Sequence, residues 1–458
     1  MSESSAAVFD RLRAAGPPER PRVLFGTAGV LGGSVAGLAA ARVLADYAER
    51  VVIVEPDTAD GTQARPGTPQ GRQHHVLLAA GLDWMDRWLP GFSGAMRDAG
   101  AVLAGPDQTA IYLDGHPRAR SGAYYRLLAS RPFLEAAMRG RVLGLPNVCV
   151  LPGRATDLLY RKDEVCGVRY QAHRTSGVLS AEIVVDAMGR ASRLSDWLSA
   201  AGFDRPALLR LPAAINYTTA LFKRTRRPED LALISSAARF SPPYPVDGVA
   251  GAAVGAIEGD RWILTLMAYD DARPGRTIDA LRAACAKMPS LYAEVASQDL
   301  AGEITTYRQA DSRRRDFTGG ERVPARLVSV GDAVASFNPI YGQGMSSAVL
   351  HASCLSEYLR ATADLRAPAA RFFELQQVVT DAAWTISAGA DAARLDVVSG
   401  AEVPEDVRRQ RRVLDQLMRA TLIDVDVCRV VESVTDMVAH PSVLADPAIV
   451  RQAASALR

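Results

Sequence analysis

Six residues early in the chain, Gly32-Gly33-Ser34-Val35-Ala36-Gly37, have the spacing of a turn that brings backbone close to a pyrophosphate. Glycine suits such a turn because the chain bends sharply and no Cβ stands between it and the phosphates. A helix opening there would present unpaired N–H groups and a partial positive charge to the anion. Ser34 stands where the pattern has its second glycine; it is small, and its hydroxyl could itself donate to a phosphate. Glu55 ends the next apolar run, where an acid accepts hydrogen bonds from the ribose of a dinucleotide.

Two later segments repeat the layout of a strand running into a small-residue turn with one carboxylate. The first is Val184-Val185-Asp186-Ala187-Met188-Gly189-Arg190-Ala191-Ser192-Arg193. The second is Val330-Gly331-Asp332-Ala333, followed by Phe337-Asn338-Pro339-Ile340-Tyr341-Gly342-Gln343-Gly344-Met345, which places proline and two glycines before a helix. Each alone is an ordinary strand-to-helix turn. Together, in this order and spread over most of the chain, they point to one dinucleotide.

The elements that must position these residues follow from periodicity. Residues 23–31 can form a buried parallel strand, Ser34 to Tyr47 a helix and Val51 to Glu55 a second strand, a βαβ unit. A helix is expected from about His75 to Leu89, with Trp84 and Trp88 one turn apart in the core. Another opens at Ser130-Arg131-Pro132, where serine can cap and proline suits the first turn. Residues 206–320 are β-rich, Leu327 to Val330 is a last buried strand, and the chain beyond Met345 reads as helical. The fold class is α/β: a Rossmann-like domain with an inserted antiparallel β-sheet domain and a helical C-terminal region. The division is an N-terminal arm (1–20), a discontinuous dinucleotide domain (21–105, 129–200 and 321–365), a substrate sheet (106–128 and 201–320) and C-terminal helices (366–458).

From about residue 21 onward the chain resembles the class A FAD-dependent monooxygenases, built like the aromatic hydroxylases. The resemblance implies a glutathione-reductase-like fold of the hydroxylase subtype, with Gly32, Gly33, Ser34, Gly37 and Glu55 on the ADP half of FAD. It places Asp186 near the pyrophosphate and the approach of the pyridine nucleotide, and Gly331 and Asp332 at the ribityl chain or pyrophosphate. The turn with Pro339, Gly342, Gly344 and Met345 would face the isoalloxazine, and Arg131 matches an arginine that typically reaches the FAD phosphates. Pro69-Gln70-Gly71-Arg72, Ala129-Ser130-Arg131-Pro132 and Asn338 to Ser347 look like the bacterial flavin epoxidases of polyether biosynthesis. In that comparison Gln73 stands where a first histidine is expected and His75 fits the second, while Arg72 is a candidate contact near the flavin.

The resemblance implies a NAD(P)H-dependent monooxygenase, an epoxidase or hydroxylase, acting on a hydrophobic polyketide or polyene in bacterial secondary metabolism. The alternative it leaves open is an FAD-bound, non-redox cyclase that closes a decalin by a Diels–Alder-type reaction. The substrate would sit between the FAD domain and the inserted sheet, with Tyr217, Trp262, Tyr269 and Phe337 as candidate lining residues. No residue identifies itself as a catalytic base, and His74 and His75 read as either a proton relay or backbone-bonded helix-start histidines.

Composition is consistent with this class. At 458 residues the chain exceeds one core, with 48% hydrophobic and 23% charged residues. A net charge of +2 argues against a nucleic-acid partner, although Lys223 to Arg227 and Arg313 to Arg315 are local basic runs. Five separated cysteines suit neither a disulfide framework nor a zinc site, so no metal is expected and a cytoplasmic setting is the default. Val23 to Ala41 is uncharged and long enough to span a bilayer, but its five glycines fit a strand, turn and helix better.

Overall fold

Runs of β-branched and aliphatic residues without alternation can be buried on both faces, and four of them meet at the centre of the fold. The computed structural model describes residues 3–57, 63–173, 175–225, 230–237, 249–361 and 364–458; Arg226 and Arg227 of the basic run lie outside them. A five-stranded parallel sheet has the order Leu327–Ser329, Ile183–Asp186, Phe25–Leu31, Ala48–Glu55, Val148–Pro152. Its register aligns Leu31 with Asp186 on one side and Val54 on the other, and Asp186 with Ser329. The carboxyl ends of the central strands therefore open on one crevice, where parallel sheets bind ligands.

Helix Val35–Leu44 crosses over from the first strand to the second, and its Ala39, Ala40 and Ala41 are fully buried. Small side chains let it pack closely against helix Gly344–Arg360, itself buried along most of its length. A three-stranded antiparallel sheet, Thr175–Ser180, Glu164–Ala172 and Arg154–Arg161, lies against the parallel sheet.

The larger sheet has eight strands in the order Ala335–Ser336, Thr305–Asp316, Ala207–Lys223, Arg261–Tyr269, Gly251–Ile257, Leu233–Ala237, Thr109–Leu113, His116–Pro117. All neighbours are antiparallel except Leu233–Ala237 with Thr109–Leu113. Strand alternation gives it two different faces. Trp262, Leu264 and Leu266 pack with Leu281, Cys285, Tyr292 and Val295 of helices Ile278–Cys285 and Ser290–Ala296. Ile215, Tyr217, Met267, Tyr269 and Tyr307 form the other face with Ile340.

The helix expected from His75 begins later, at Ala79, and ends at Trp88. Val76–Leu77 pairs instead with Leu127–Leu128, because His75 Nδ1 bonds the Gln73 carbonyl (2.9 Å) and the chain leaves that turn extended. The N-terminal arm is ordered as helix Ser5–Ala14, capped by Ser4 and anchored by buried Phe9 and Leu12. Beyond residue 366 the chain forms helices Ala370–Ser399, Glu405–Ala420, Val425–Thr435 and Pro447–Ala456. Among the described residues no helix is long and apolar enough to cross a membrane.

Trp84 and Trp88 stack with centroids 5.5 Å apart, and their indoles donate to Ser353 Oγ (3.2 Å) and the Ala15 carbonyl (3.1 Å). Trp84→Ala removes one ring and leaves a cavity; chemical denaturation is expected to show a loss of about 3–5 kcal/mol. A change below about 1 kcal/mol would contradict this packed role.

Candidate functional site

The glycine turn is built so that only glycine fits at its tightest points. Gly32 has φ +103°, and a Cβ there would lie 2.5 Å from the Ala187 carbonyl oxygen. A Cβ on Gly37 would meet the Gly32 carbonyl oxygen at 1.9 Å, so helix and turn touch backbone to backbone. Among the described residues no side chain caps helix Val35–Leu44, so no cap takes up its first-turn N–H groups.

Around this turn the charges are closely paired. Glu55, 6% exposed, accepts from Gly33 N (2.5 Å) and Asp57 N (2.8 Å), with Arg65 3.6 Å away. Glu135 receives Arg65 at 2.7 Å, Arg131 at 2.6 Å and the Ser34 hydroxyl at 2.5 Å. Arg131 also donates to Ser34 Oγ (3.2 Å), and Arg139 to the Gly33 carbonyl (2.9 Å). Burial would raise the Glu135 carboxyl, but Arg131, Arg65 and the Ser34 hydrogen bond outweigh it and hold it at about 2. The Ser34 hydroxyl, expected to face a phosphate, is thus a donor to Glu135.

The second and third acidic turns come to the same crevice by different means. Asp186 is fully buried and accepts from Met188 N (3.0 Å), Ser192 Oγ (2.7 Å) and Ser329 Oγ (3.2 Å). Its carboxylate shapes its own turn and ties two strands together. Gly331 abuts the start of the first helix: a Cβ there would lie 2.5 Å from Ala36 Cβ. The next residue, Asp332, has its carboxyl raised by burial, an effect opposed by the nearby Arg131 and Arg190. Gly331 N donates to His351 Nδ1 (3.0 Å), so the ring proton lies on Nε2, facing Thr380 Oγ1 (3.2 Å). Burial keeps His351 neutral, with its pKa lowered to about 3.

The turn expected to face the ring system leads from Phe337 through Gly342 (φ +70°) into helix Gly344–Arg360. Pro339 is exposed, while Met345 is 7% exposed within the main core. Phe337 is 6% exposed; its carbonyl accepts from Gln309 Nε2 (2.7 Å) and its ring lies 6.3 Å from Trp384. Leu78 lies beside Gly342, which brings the segment after His75 to this turn.

Gly32, Gly33, Ser34, Gly37, Glu55, Arg131, Asp186, Gly331 and Asp332 therefore converge on one crevice. Arg72 does not join them: it is on the exposed side of its turn, whose Gly71 lies against Arg131. Tyr217 and Tyr269 share the face directed at Ile340. Trp262 corrects the candidate lining: strand parity puts it on the opposite face, fully buried beneath two helices. His74 and His75 are both neutral, lowered by burial to about 3 and about 4. Gln73 accepts a hydrogen bond from the Thr219 hydroxyl, and His74 N donates to Thr265 Oγ1 (3.1 Å). A separate cavity of about 360 Å³, lined by Tyr112, Arg118, Arg120, Ser121 and Glu432 among others, involves none of these residues.

Arg65, Glu135, Arg139 and His351 were not foreseen. Glu135 had a usable signal, since it follows Arg131 by four residues on a helix. His351 had none, because its partner is a backbone N–H twenty residues away.

No family model matches the chain. Protein Rv3254 of Mycobacterium tuberculosis (strain ATCC 25618 / H37Rv) is 34% identical over 355 residues, covering 72% of this chain and 72% of that protein. The chain belongs to its family. Among solved structures, the flavin-dependent brominase Bmp2 superposes with a TM-score of 0.64 at 15% identity, over 94% of this chain and 98% of that one. The p-nitrophenol 4-monooxygenase PnpA from Pseudomonas putida DLL-E4 gives 0.62 at 17% identity, over 92% and 99%. Pseudomonas aeruginosa PqsL, in complex with 2-aminobenzoylacetate, gives 0.63 at 18%, over 85% and 99%. The fold of this Rv3254 relative is thus that of the class A FAD-dependent monooxygenases. The crevice fits the group that fold implies: a glycine turn open to phosphate, an acid beside it, and Arg131 at its mouth.

A carboxyl whose folded pKa is depressed contributes stability above its unfolded pKa and loses it as pH falls through the folded value. Glu135 is ordinarily at 4.5 and is held at about 2. Glu135→Gln is therefore expected to be less stable than the wild type at neutral pH, with a gap on the order of 3 kcal/mol. That gap should narrow as the pH falls from about 4.5 toward about 2, measured by denaturation across pH. A pH-independent gap would show that the carboxylate charge is not what matters.

Proposed function

We propose that this chain is a FAD-dependent tailoring enzyme: a NAD(P)H-dependent monooxygenase, epoxidase or hydroxylase, acting on a hydrophobic polyketide or polyene. The observation that carries the reading is the convergence of three distant turns, with Glu55 and Arg131, on one crevice at the carboxyl ends of the parallel strands. FAD held there would take hydride from NAD(P)H and activate oxygen. The chain's own residues then bind and orient. The N–H groups at Val35 and the Arg131 guanidinium would hold phosphate, while Glu55 keeps the turn closed through Gly33 and faces the ribose side. Asp332 would contact the ribityl chain or pyrophosphate, and the turn through Gly342 would lie along the isoalloxazine.

The face with Ile215, Tyr217, Met267, Tyr269 and Tyr307 supports an apolar substrate, because its first three residues are buried, its last two half-buried, and it is directed at Ile340 of that same turn. Excluding water there protects a reactive oxygen species from wasteful decay. On this reading 21–105, 129–200 and 321–365 make the FAD part and 106–128 with 201–320 the substrate part, with Ala335–Ser336 stitching one to the other. A cytoplasmic setting suits five free thiols.

Purified protein is expected to be yellow, bleached by NAD(P)H, and to couple oxygen uptake to a polyene or polyketide acceptor. Arg131→Ala should weaken FAD retention about tenfold or more, as loss of a charged hydrogen bond does. Colourless protein that cannot be reconstituted would refute the reading. Product formed anaerobically with oxidised FAD would identify a non-redox cyclase instead.

A further inference from the structure

The long helix Ala370–Ser399 carries one carboxylate that the fold does not use up. Asp391 is 1% exposed, and its Oδ1 accepts from Asn338 Nδ2 at 2.9 Å. Its Oδ2 is buried and has no hydrogen-bond partner among the described residues. The Tyr217 hydroxyl, on a residue 5% exposed, is also buried and without one. Arg394, whose charge acts on Asp391, pairs with Asp270 Oδ2 (2.7 Å) and lies over the Tyr269 ring at 4.2 Å, and its own Nε is buried without a hydrogen-bond partner among the described residues.

Asp391 Oδ2 and the Tyr217 hydroxyl lie beside the apolar face described above. Asn338 opens the Phe337–Gly344 turn, and its Nδ2 also reaches Tyr269 OH (3.3 Å). Ile215, Met267, Tyr307 and Ile340 surround Tyr217 and Tyr269. Holding Asn338 needs only one acceptor, and a neutral amide could supply it. A buried carboxylate with one oxygen left over is an acceptor waiting for a donor, since such groups are normally paired.

We propose that Asp391 recognises an O–H or N–H donor on an otherwise apolar ligand, with the Tyr217 hydroxyl as the second polar contact. The inference rests on the reading above, and names a chemical feature that the substrate must carry. Burial raises the Asp391 carboxyl to about 6 against the pull of Asn338 and Arg394, so at neutral pH it remains an ionised acceptor. Tyr217 is raised by burial first and then by Tyr269, Tyr307 and Asp391, so it stays a neutral phenol able to donate.

The test uses 2-naphthol and 2-methoxynaphthalene, which share an apolar body and differ in one donor. Each is titrated by calorimetry into the full chain as purified, with its flavin content read beforehand. The wild type is expected to prefer the naphthol by about tenfold or more. Asp391→Asn should remove most of that preference with the methoxy compound bound as before, whereas Tyr217→Phe should weaken both compounds, because the naphthol and ether oxygens can each accept from the Tyr217 hydroxyl. Yellow wild-type protein that binds both alike or binds neither, or yellow Asp391→Asn that keeps the full preference, would overturn this inference and leave the FAD reading standing. Should Asp391→Asn fail to fold, Tyr217→Phe that binds both compounds as tightly as the wild type would overturn the two-contact assignment. Colourless protein overturns both readings.

Discussion

Two guanidinium groups and one hydroxyl meet on the Glu135 carboxylate, and through it the glycine turn, the loop bearing Arg65 and the helix opening at Arg131 become one body. The attraction of the two guanidinium groups and the Ser34 hydroxyl more than offsets the desolvation of this carboxylate, so removing it is costly. Its further effect is geometric. Arg131 has a long, flexible side chain, and without Glu135 four residues along the helix nothing else described would fix it at Ser34. Burial alone would neutralise Glu135; Arg131 and Arg65 hold it ionised, and the ionised carboxylate in turn keeps both guanidinium groups in place. A pyrophosphate would meet Arg131 already in place, which lowers the ordering cost of binding.

The second constraint is the parity of the large sheet. Side chains two apart along a strand share a face, so the register of Tyr217 with Met267, and of Thr219 with Thr265, settles which residues can meet a ligand. One face is closed by two helices and holds Trp262; the other is closed by the turn through Ile340 and by helix Ala370–Ser399. Aromatic content alone cannot separate Trp262 from Tyr269, although parity can: they are seven residues apart on one strand, an odd number.

What was legible in the sequence is what local chemistry imposes. Gly32 and Gly37 are required by contacts within a few residues of themselves, or with one neighbouring strand, and the apolar runs at Val51 to Val54 and Val184 to Val185 admit no other placement than a buried strand. Arg131 could be read from its helix cap. The rest depends on distant partners. Asp186 has the look of a ligand-facing acid, yet its lone pairs are taken by Ser192 and Ser329, the latter 143 residues away. Ser34 looked like a phosphate donor, and only the fold brings Glu135, 101 residues on, within its reach. The later start of the helix at Ala79 has the same origin, since Val76 and Leu77 find strand partners at Leu127 and Leu128.

The long helix Ala370–Ser399 shows why such partners resist reading from sequence. Along Ala370–Ser399, Gln376 donates to the Ser329 carbonyl (2.7 Å), Thr380 meets His351 (3.2 Å), Ser387 accepts from Asn338 N (3.1 Å) and Asp391 holds Asn338 Nδ2 (2.9 Å). At about 100° per residue these four positions fall within roughly 60° of the helix circumference, a single polar stripe. It runs beneath the last parallel strand, the Gly331-Asp332 turn (through His351) and the turn that opens at Asn338. In isolation the stripe reads as a solvated face, because polar residues at helical spacing usually face water. All four are in fact buried, and each satisfies a backbone or side-chain group that the crevice-forming turns would otherwise leave unpaired. The helix thus supports the crevice from behind rather than merely covering the molecule. Asp391, at the end of the stripe, keeps a second oxygen that is buried without a hydrogen-bond partner among the described residues.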